Sequence, residues 1–251
     1  MKKLVLIPMC IFFIVLSCKK DKAPSEGTEV IKGDIKQVVE TQNGITYKIF
    51  TDKNTTTFKG ILVVGSGNDE NNPSEGGING AVETALCEKA AANGYAAAIV
   101  KYRKTPGTED WNGSAKMLGE DYDKCIVAIA GKYNIDKNKS VVAGFSYSSF
   151  LLLTHIAYYD NLSYCKGLLA ACGSTDQDKI NKFKIPVLSL TGKDEFESYE
   201  GNFIGATLYT KIPANSPIKA KSEGFSDPNS TGHCNGDWTE KMFTKMNAWM
   251  Q

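Results

Sequence analysis

The chain has 251 residues, with 29 Lys and Arg against 28 Asp and Glu and a formal net charge of +1. So even a balance leaves no basic footprint for nucleic acid, which is excluded as a partner. A hydrophobic content of 42% and a charged content of 23% are those of a soluble globular protein. The length suits one large domain able to bury its own core without metals or dense disulfides.

The N-terminus departs from this average. Met1-Lys2-Lys3 is positively charged, and Leu4 to Leu16 is an apolar run too short to cross a bilayer comfortably, the pattern of a secretory signal. It ends in Val15-Leu16-Ser17-Cys18, which resembles a bacterial lipobox. The resemblance implies a signal peptide over residues 1–17, lipidation of Cys18, and an exported protein held at a bacterial membrane by acyl chains, on the periplasmic face or the cell surface. After Cys18, Lys19 to Asp34 is polar and aperiodic with Pro, Ser and Gly, so residues 18–34 read as a flexible tether. Residues 35–251 remain as a single domain.

In chain order, Ile35 to Thr41 and Ile45 to Thr51 alternate apolar and polar residues around Asn43-Gly44, a strong hairpin signal. Five short apolar runs follow: Gly60 to Val64, Ala96 to Tyr102, Ser140 to Phe145, Gly167 to Ala171 and Ile185 to Leu190. Their continuous apolarity predicts strands covered on both faces, as in a parallel sheet, with the more polar Ile218 to Phe225 as an edge strand. Helices are predicted over Gly80 to Asn93, Met117 to Tyr133, Ser146 to Tyr159, Tyr199 to Lys211 and Asn235 to Met250. A hairpin followed by βαβ units gives an α/β fold with a mostly parallel central sheet and helices on both faces. The spacing leaves little room for a lid.

The sharpest local feature is Ser140-Val-Val-Ala-Gly144-Phe-Ser146-Tyr-Ser148, where a buried strand meets a helix through a turn with a serine at its apex. Such a turn exposes the hydroxyl, and the helix N-terminus favours developing negative charge. A serine hydroxyl needs a base, and the chain has two histidines. His155 sits nine residues along the same predicted helix, about 13 Å away and out of reach, and reads as a packed residue. His233 lies in the loop Ser226 to Gly236, between the last strand and the last helix.

Together these segments resemble the α/β-hydrolase superfamily, from about Gly60 to Gln251, and its esterase, dienelactone-hydrolase and prolyl-oligopeptidase-like members in particular. The nucleophile elbow Gly-x-Ser-x-Gly is matched by Gly144, Ser146 and, in place of the second glycine, Ser148. The resemblance implies Ser146 as nucleophile, His233 as base and an orienting carboxylate after the fifth apolar run. Asp194 is the first choice, Glu195 a second, and Asp176, after the preceding run, a weaker third. It also implies an oxyanion hole from the backbone of Tyr147 and of the Ser66, Gly67 or Asn68 region. Asn68 and Trp111 are candidates to line the cleft, and Lys101-Tyr102-Arg103 and Asp121-Tyr122-Asp123 to brace the structure.

The implied activity is a serine hydrolase acting on small-molecule or carbohydrate esters, without metal or cofactor. Two alternatives stand beside it: a peptidase of the same fold, and a catalytically silent surface binding protein. Ser148 and the absence of a histidine before Gly65 feed the second. Of the cysteines after Cys18, Cys165 and Cys172 flank one strand and lie too far apart to pair. All other pairings stay open.

Overall fold

The computed structural model describes residues 25–27, 29–69, 71–195 and 201–251; the expected signal peptide and Cys18 lie outside them. Ten strands form one sheet: β1 (Ser25–Glu26), β2 (Val30–Lys32), β3 (Ile35–Gln42), β4 (Ile45–Asp52), β5 (Ile61–Gly65), β6 (Ala96–Lys101), β7 (Ser140–Phe145), β8 (Leu168–Ala171), β9 (Val187–Gly192) and β10 (Glu223–Asp227). The helices are α1 (Ala81–Ala92), α2 (Trp111–Tyr133), α3 (Tyr147–Tyr158), α4 (Gln177–Ile180), α5 (Gly205–Lys211) and α6 (Thr239–Trp249).

The hairpin forms as expected, with Asn43 and Gly44 both at positive φ (54° and 76°), the conformation that matches the strands' twist. Along the sheet the order is β3-β4-β6-β5-β7-β8-β9-β10, antiparallel up to β6 and parallel from β6 to β10. Successive side chains of β5 enter opposite layers. Ile61 and Val63 join the core under α2 and α3, whereas Leu62 and Val64 join the core under α1 and α6. Both faces of the central strands are therefore dry, which is why their runs are continuously apolar.

Several expectations change. Residues 25–26 and 30–32, expected in the tether, pair with β3, covering backbone groups that an edge strand would leave open. Within Ile218 to Phe225, residues 219–221 make a 3-10 turn, and the strand starts only at Glu223. Ser222 causes the delay: its hydroxyl donates to the Ile218 carbonyl (2.9 Å) and accepts from the Val187 amide (3.1 Å). Finally, α2 begins at Trp111 rather than Met117, because Asp110 caps it by accepting from the Gly113 amide at 2.8 Å.

The topology also sets where a site can form. From β5 the chain moves outward to β6, then returns across β5 to β7, so the connections diverge between β5 and β7. A crevice opens at the carboxyl ends of strands at such a point. The segments leaving β5 and β7 are the two glycine- and serine-bearing loops singled out in the sequence.

Candidate active site

Ser146 occupies the tip between β7 and α3 with φ 49° and ψ −120°, a conformation non-glycine residues rarely adopt. Its amide donates to the Ala171 carbonyl on β8 (2.9 Å), which ties the turn to the neighbouring strand. The turn is tight enough to demand Gly144: a Cβ there would sit 2.6 Å from the Ser149 amide nitrogen. Ser148, the departure from glycine, is fully buried and bridges two strand ends. Its hydroxyl accepts from the Phe145 amide (3.0 Å) and lies 2.8 Å from the Gly65 carbonyl as donor. The serine thus fastens the elbow to the loop after β5 instead of disrupting it.

His233 reaches Ser146 from the far side of the crevice. Its Nε2 lies 2.6 Å from Ser146 Oγ, and its Nδ1 lies 2.6 Å from Glu195 Oε1. The carboxylate facing the histidine is Glu195, not Asp194. Beyond β9 the chain turns so that Asp194 is exposed, while Glu195 folds back with only 4% of its side chain accessible. Glu195 Oε2 accepts from the Gly192 amide (2.8 Å) and the Thr191 hydroxyl (3.0 Å). Burial pushes its carboxyl pKa up, but the contacts with His233, Gly192 and Thr191 outweigh burial and hold it below the ordinary 4.5. Asp176 is elsewhere, capping α4 through the Lys179 amide (3.0 Å).

The loop after β5 closes the third side. Gly67 abuts the nucleophile: a Cβ there would lie 3.1 Å from Ser146 Cβ. Ser66 turns its hydroxyl away, accepting from the Gly77 amide at 2.8 Å. Tyr102 supports the loop from below, donating to the Ser66 carbonyl (2.9 Å) and accepting from the Asn68 side-chain amide (2.7 Å). Asn68 is further held by the Ser74 carbonyl and hydroxyl. Arg103 and Asp121 brace the adjoining strand end, with Arg103 Nε 3.0 Å from Asp121 Oδ1.

Ser146, Tyr147, Phe150, His233, Asn68, Asp69 and Asn71 line a pocket of about 220 Å3. Phe150 also borders a second depression of about 270 Å3, where Trp111 meets Thr154, Thr175, Lys179 and Asn202. Trp111 is fixed there by its indole N–H, which donates to Thr154 Oγ1 (3.0 Å), and by edge-on packing on Tyr147 and Phe150. Of the residues named from the sequence, Ser146, Tyr147, Gly67, Asn68, His233 and Glu195 converge, whereas Asp194 and Asp176 stay outside and Trp111 lines the neighbouring depression. Asp69 and Asn71 also belong to the rim. His155 is buried against Gly119 with Nδ1 3.0 Å from the Ala115 carbonyl, and burial lowers its pKa, as befits a packed histidine.

A disulfide joins Cys172, immediately after β8, to Cys234, immediately after His233. Sequence spacing offered no way to choose this pair.

No protein-family model matches the chain, and no curated protein sequence matches it. Solved structures do. An esterase from an Arctic intertidal metagenomic library is 12% identical with a TM-score of 0.60, over 90% of this chain and 97% of that one. Acetyl xylan esterase 1 from Thermoanaerobacterium sp. JW/SL YS485 is 11% identical with a TM-score of 0.60, over 92% and 89%. A thermostable esterase from Pseudomonas putida ECU1011 is 11% identical with a TM-score of 0.58, over 86% and 83%. At such identities the likeness speaks for the fold alone.

Proposed function

We propose that this chain, whose fold is that of the α/β-hydrolases, is a serine hydrolase that cleaves carboxylic esters through an acyl-serine. The observation that carries the reading is the unbroken line from Ser146 Oγ through His233 to buried Glu195, with both contacts at 2.6 Å. In this reading Ser146 attacks the ester carbonyl while His233 Nε2 takes the hydroxyl proton. Glu195 keeps the proton on Nδ1 and stabilises the imidazolium that forms. The oxyanion is held by backbone N–H groups of Tyr147 and of the Gly67 region, beside the positive end of α3. His233 then returns its proton to the leaving alcohol. Water enters by the same route in reverse and releases the acid.

The small pocket at Ser146 favours a short acyl group, and its amide-rich rim favours a polar alcohol. Asp69 on that rim disfavours anionic leaving groups. Short acyl esters of neutral polyols or sugars fit best. We further propose export and lipid anchoring at Cys18, supported by the lipobox-like Val15-Leu16-Ser17-Cys18. Incorporation of a labelled fatty acid, lost in Cys18→Ala, checks the anchoring. The activity is checked with a panel of short acyl esters, acetylated sugars and peptide amides. Turnover of the first two classes is expected, and turnover of amides alone would overturn the ester assignment.

A further inference from the structure

The catalytic role given to His233 poses a mechanical question that the triad alone does not answer. The side chain is 47% exposed, on a loop whose residues 231–233, 235 and 237 are all exposed to solvent. A loop of this kind is ordinarily among the more mobile parts of a fold. An imidazole displaced by 1 Å no longer meets the hydroxyl in a reactive geometry.

The Cys172–Cys234 bond adjoins His233 at one end and, at the other, the residue that holds the Ser146 amide. At one end, Cys234 follows His233 directly. At the other, Cys172 is fully buried at the end of β8, its amide donating to the Leu190 carbonyl at 2.8 Å. The preceding residue, Ala171, accepts the amide of Ser146 at 2.9 Å. A short path therefore runs from Ser146 through Ala171 and Cys172, across the sulfurs, to Cys234 and His233. Through the main chain the two half-cystines are 62 residues apart. Both adopt positive φ, 60° and 58°, although neither is glycine, so each is held in a conformation that the chain disfavours on its own.

We infer that the Cys172–Cys234 disulfide is a positioning element for the base: it holds the His233 loop against the end of β8 at the distance Ser146 requires. The inference rests on the serine-hydrolase reading above. Glu195 sets the tautomer and the tilt of the ring, and the disulfide sets where the loop carries it. The remaining described cysteines, Cys87, Cys125 and Cys165, are buried, and burial pushes their thiols up, so they are poor partners for exchange.

The test compares oxidised wild type, the Cys172→Ala/Cys234→Ala variant, and wild type opened by a phosphine. The phosphine supplies two electrons and leaves as its oxide, taking oxygen from water, while the bond becomes two thiols counted by alkylation and mass. Against a chromogenic acetate ester, kcat and the rate of fluorophosphonate labelling are expected to fall about 10- to 100-fold, with KM within about twofold. In a His233→Ala background the same loss of the disulfide should leave the residual rate unchanged, since no base remains to be positioned. Wild-type rates in the opened protein would overturn the inference, as would an equal loss in the His233→Ala background. If the double variant does not fold, the reduced wild type decides. An oxidised wild type that neither labels nor hydrolyses would instead bring down the serine-hydrolase reading and the inference with it.

Discussion

Replacing Glu195 by Gln preserves volume but removes the negative charge and turns one of the two accepting oxygens into a donating NH2. Glu195 Oε2 receives the Gly192 amide at 2.8 Å and the Thr191 hydroxyl at 3.0 Å, while Oε1 faces His233 Nδ1 at 2.6 Å. Gly192 can only donate, so the single oxygen of Gln is drawn to that side and its NH2 is left facing Nδ1. Two donors cannot share a 2.6 Å gap, so the imidazole must move its proton to Nε2, which faces Ser146. The base is then lost although the fold is kept. The expected drop in kcat is about 10³- to 10⁴-fold, or about 4–5.5 kcal/mol in the barrier. Stability should fall by only about 1–2 kcal/mol, as charge-assisted bonds become neutral ones. Exposed Asp194, by contrast, should tolerate Asn with activity within about twofold. Steady-state hydrolysis of a short acyl ester by both variants, with thermal melts alongside, separates the two residues. Loss of activity in Asp194→Asn, with Glu195→Gln near wild type, would refute the assignment.

Other consequences follow from the same contacts. Ser148→Ala removes the hydroxyl between the Phe145 amide and the Gly65 carbonyl in a fully buried place, so a loss of about 1–3 kcal/mol is expected in chemical denaturation. Tyr102→Phe removes the bridge from the Ser66 carbonyl to the Asn68 amide. The loop after β5, proposed to help hold the oxyanion, should loosen, lowering kcat about tenfold with little change in KM, read by the same ester assay. The folded-state pKa of Glu195 is lowered, so its contribution to stability is fully present above the ordinary 4.5 and disappears as pH falls through the lower folded value. Melting temperature should therefore decline more steeply between about pH 5 and 3 in wild type than in Glu195→Gln.

Much of this architecture is written in local pattern. The dry central strands announced themselves as unbroken apolar runs, and Asn43-Gly44 marked the hairpin because few other residues accept two successive positive φ values. Ser146 was visible because an elbow needs Gly144 where the helix backbone approaches within 2.6 Å of a Cβ. His233 was found through scarcity and loop position. What stayed hidden depends on which way a short loop turns. Asp194 and Glu195 are adjacent, equally charged, and separated in role only by a turn that buries one and exposes the other. The start of α2 was signalled by Asp110 as a cap, but the weak helix formers Asn112 and Gly113 concealed it. The Cys172–Cys234 pair is set by the approach of two loop ends distant in sequence, and no local pattern encodes that.

The most direct test of the account is the intact mass of the folded protein after reaction with a fluorophosphonate, with the modified residue mapped by peptide analysis. One adduct is expected, on Ser146, formed rapidly in wild type and absent in Ser146→Ala and His233→Ala. An unmodified wild type, or an adduct carried instead by Ser148 or Ser149, would contradict it.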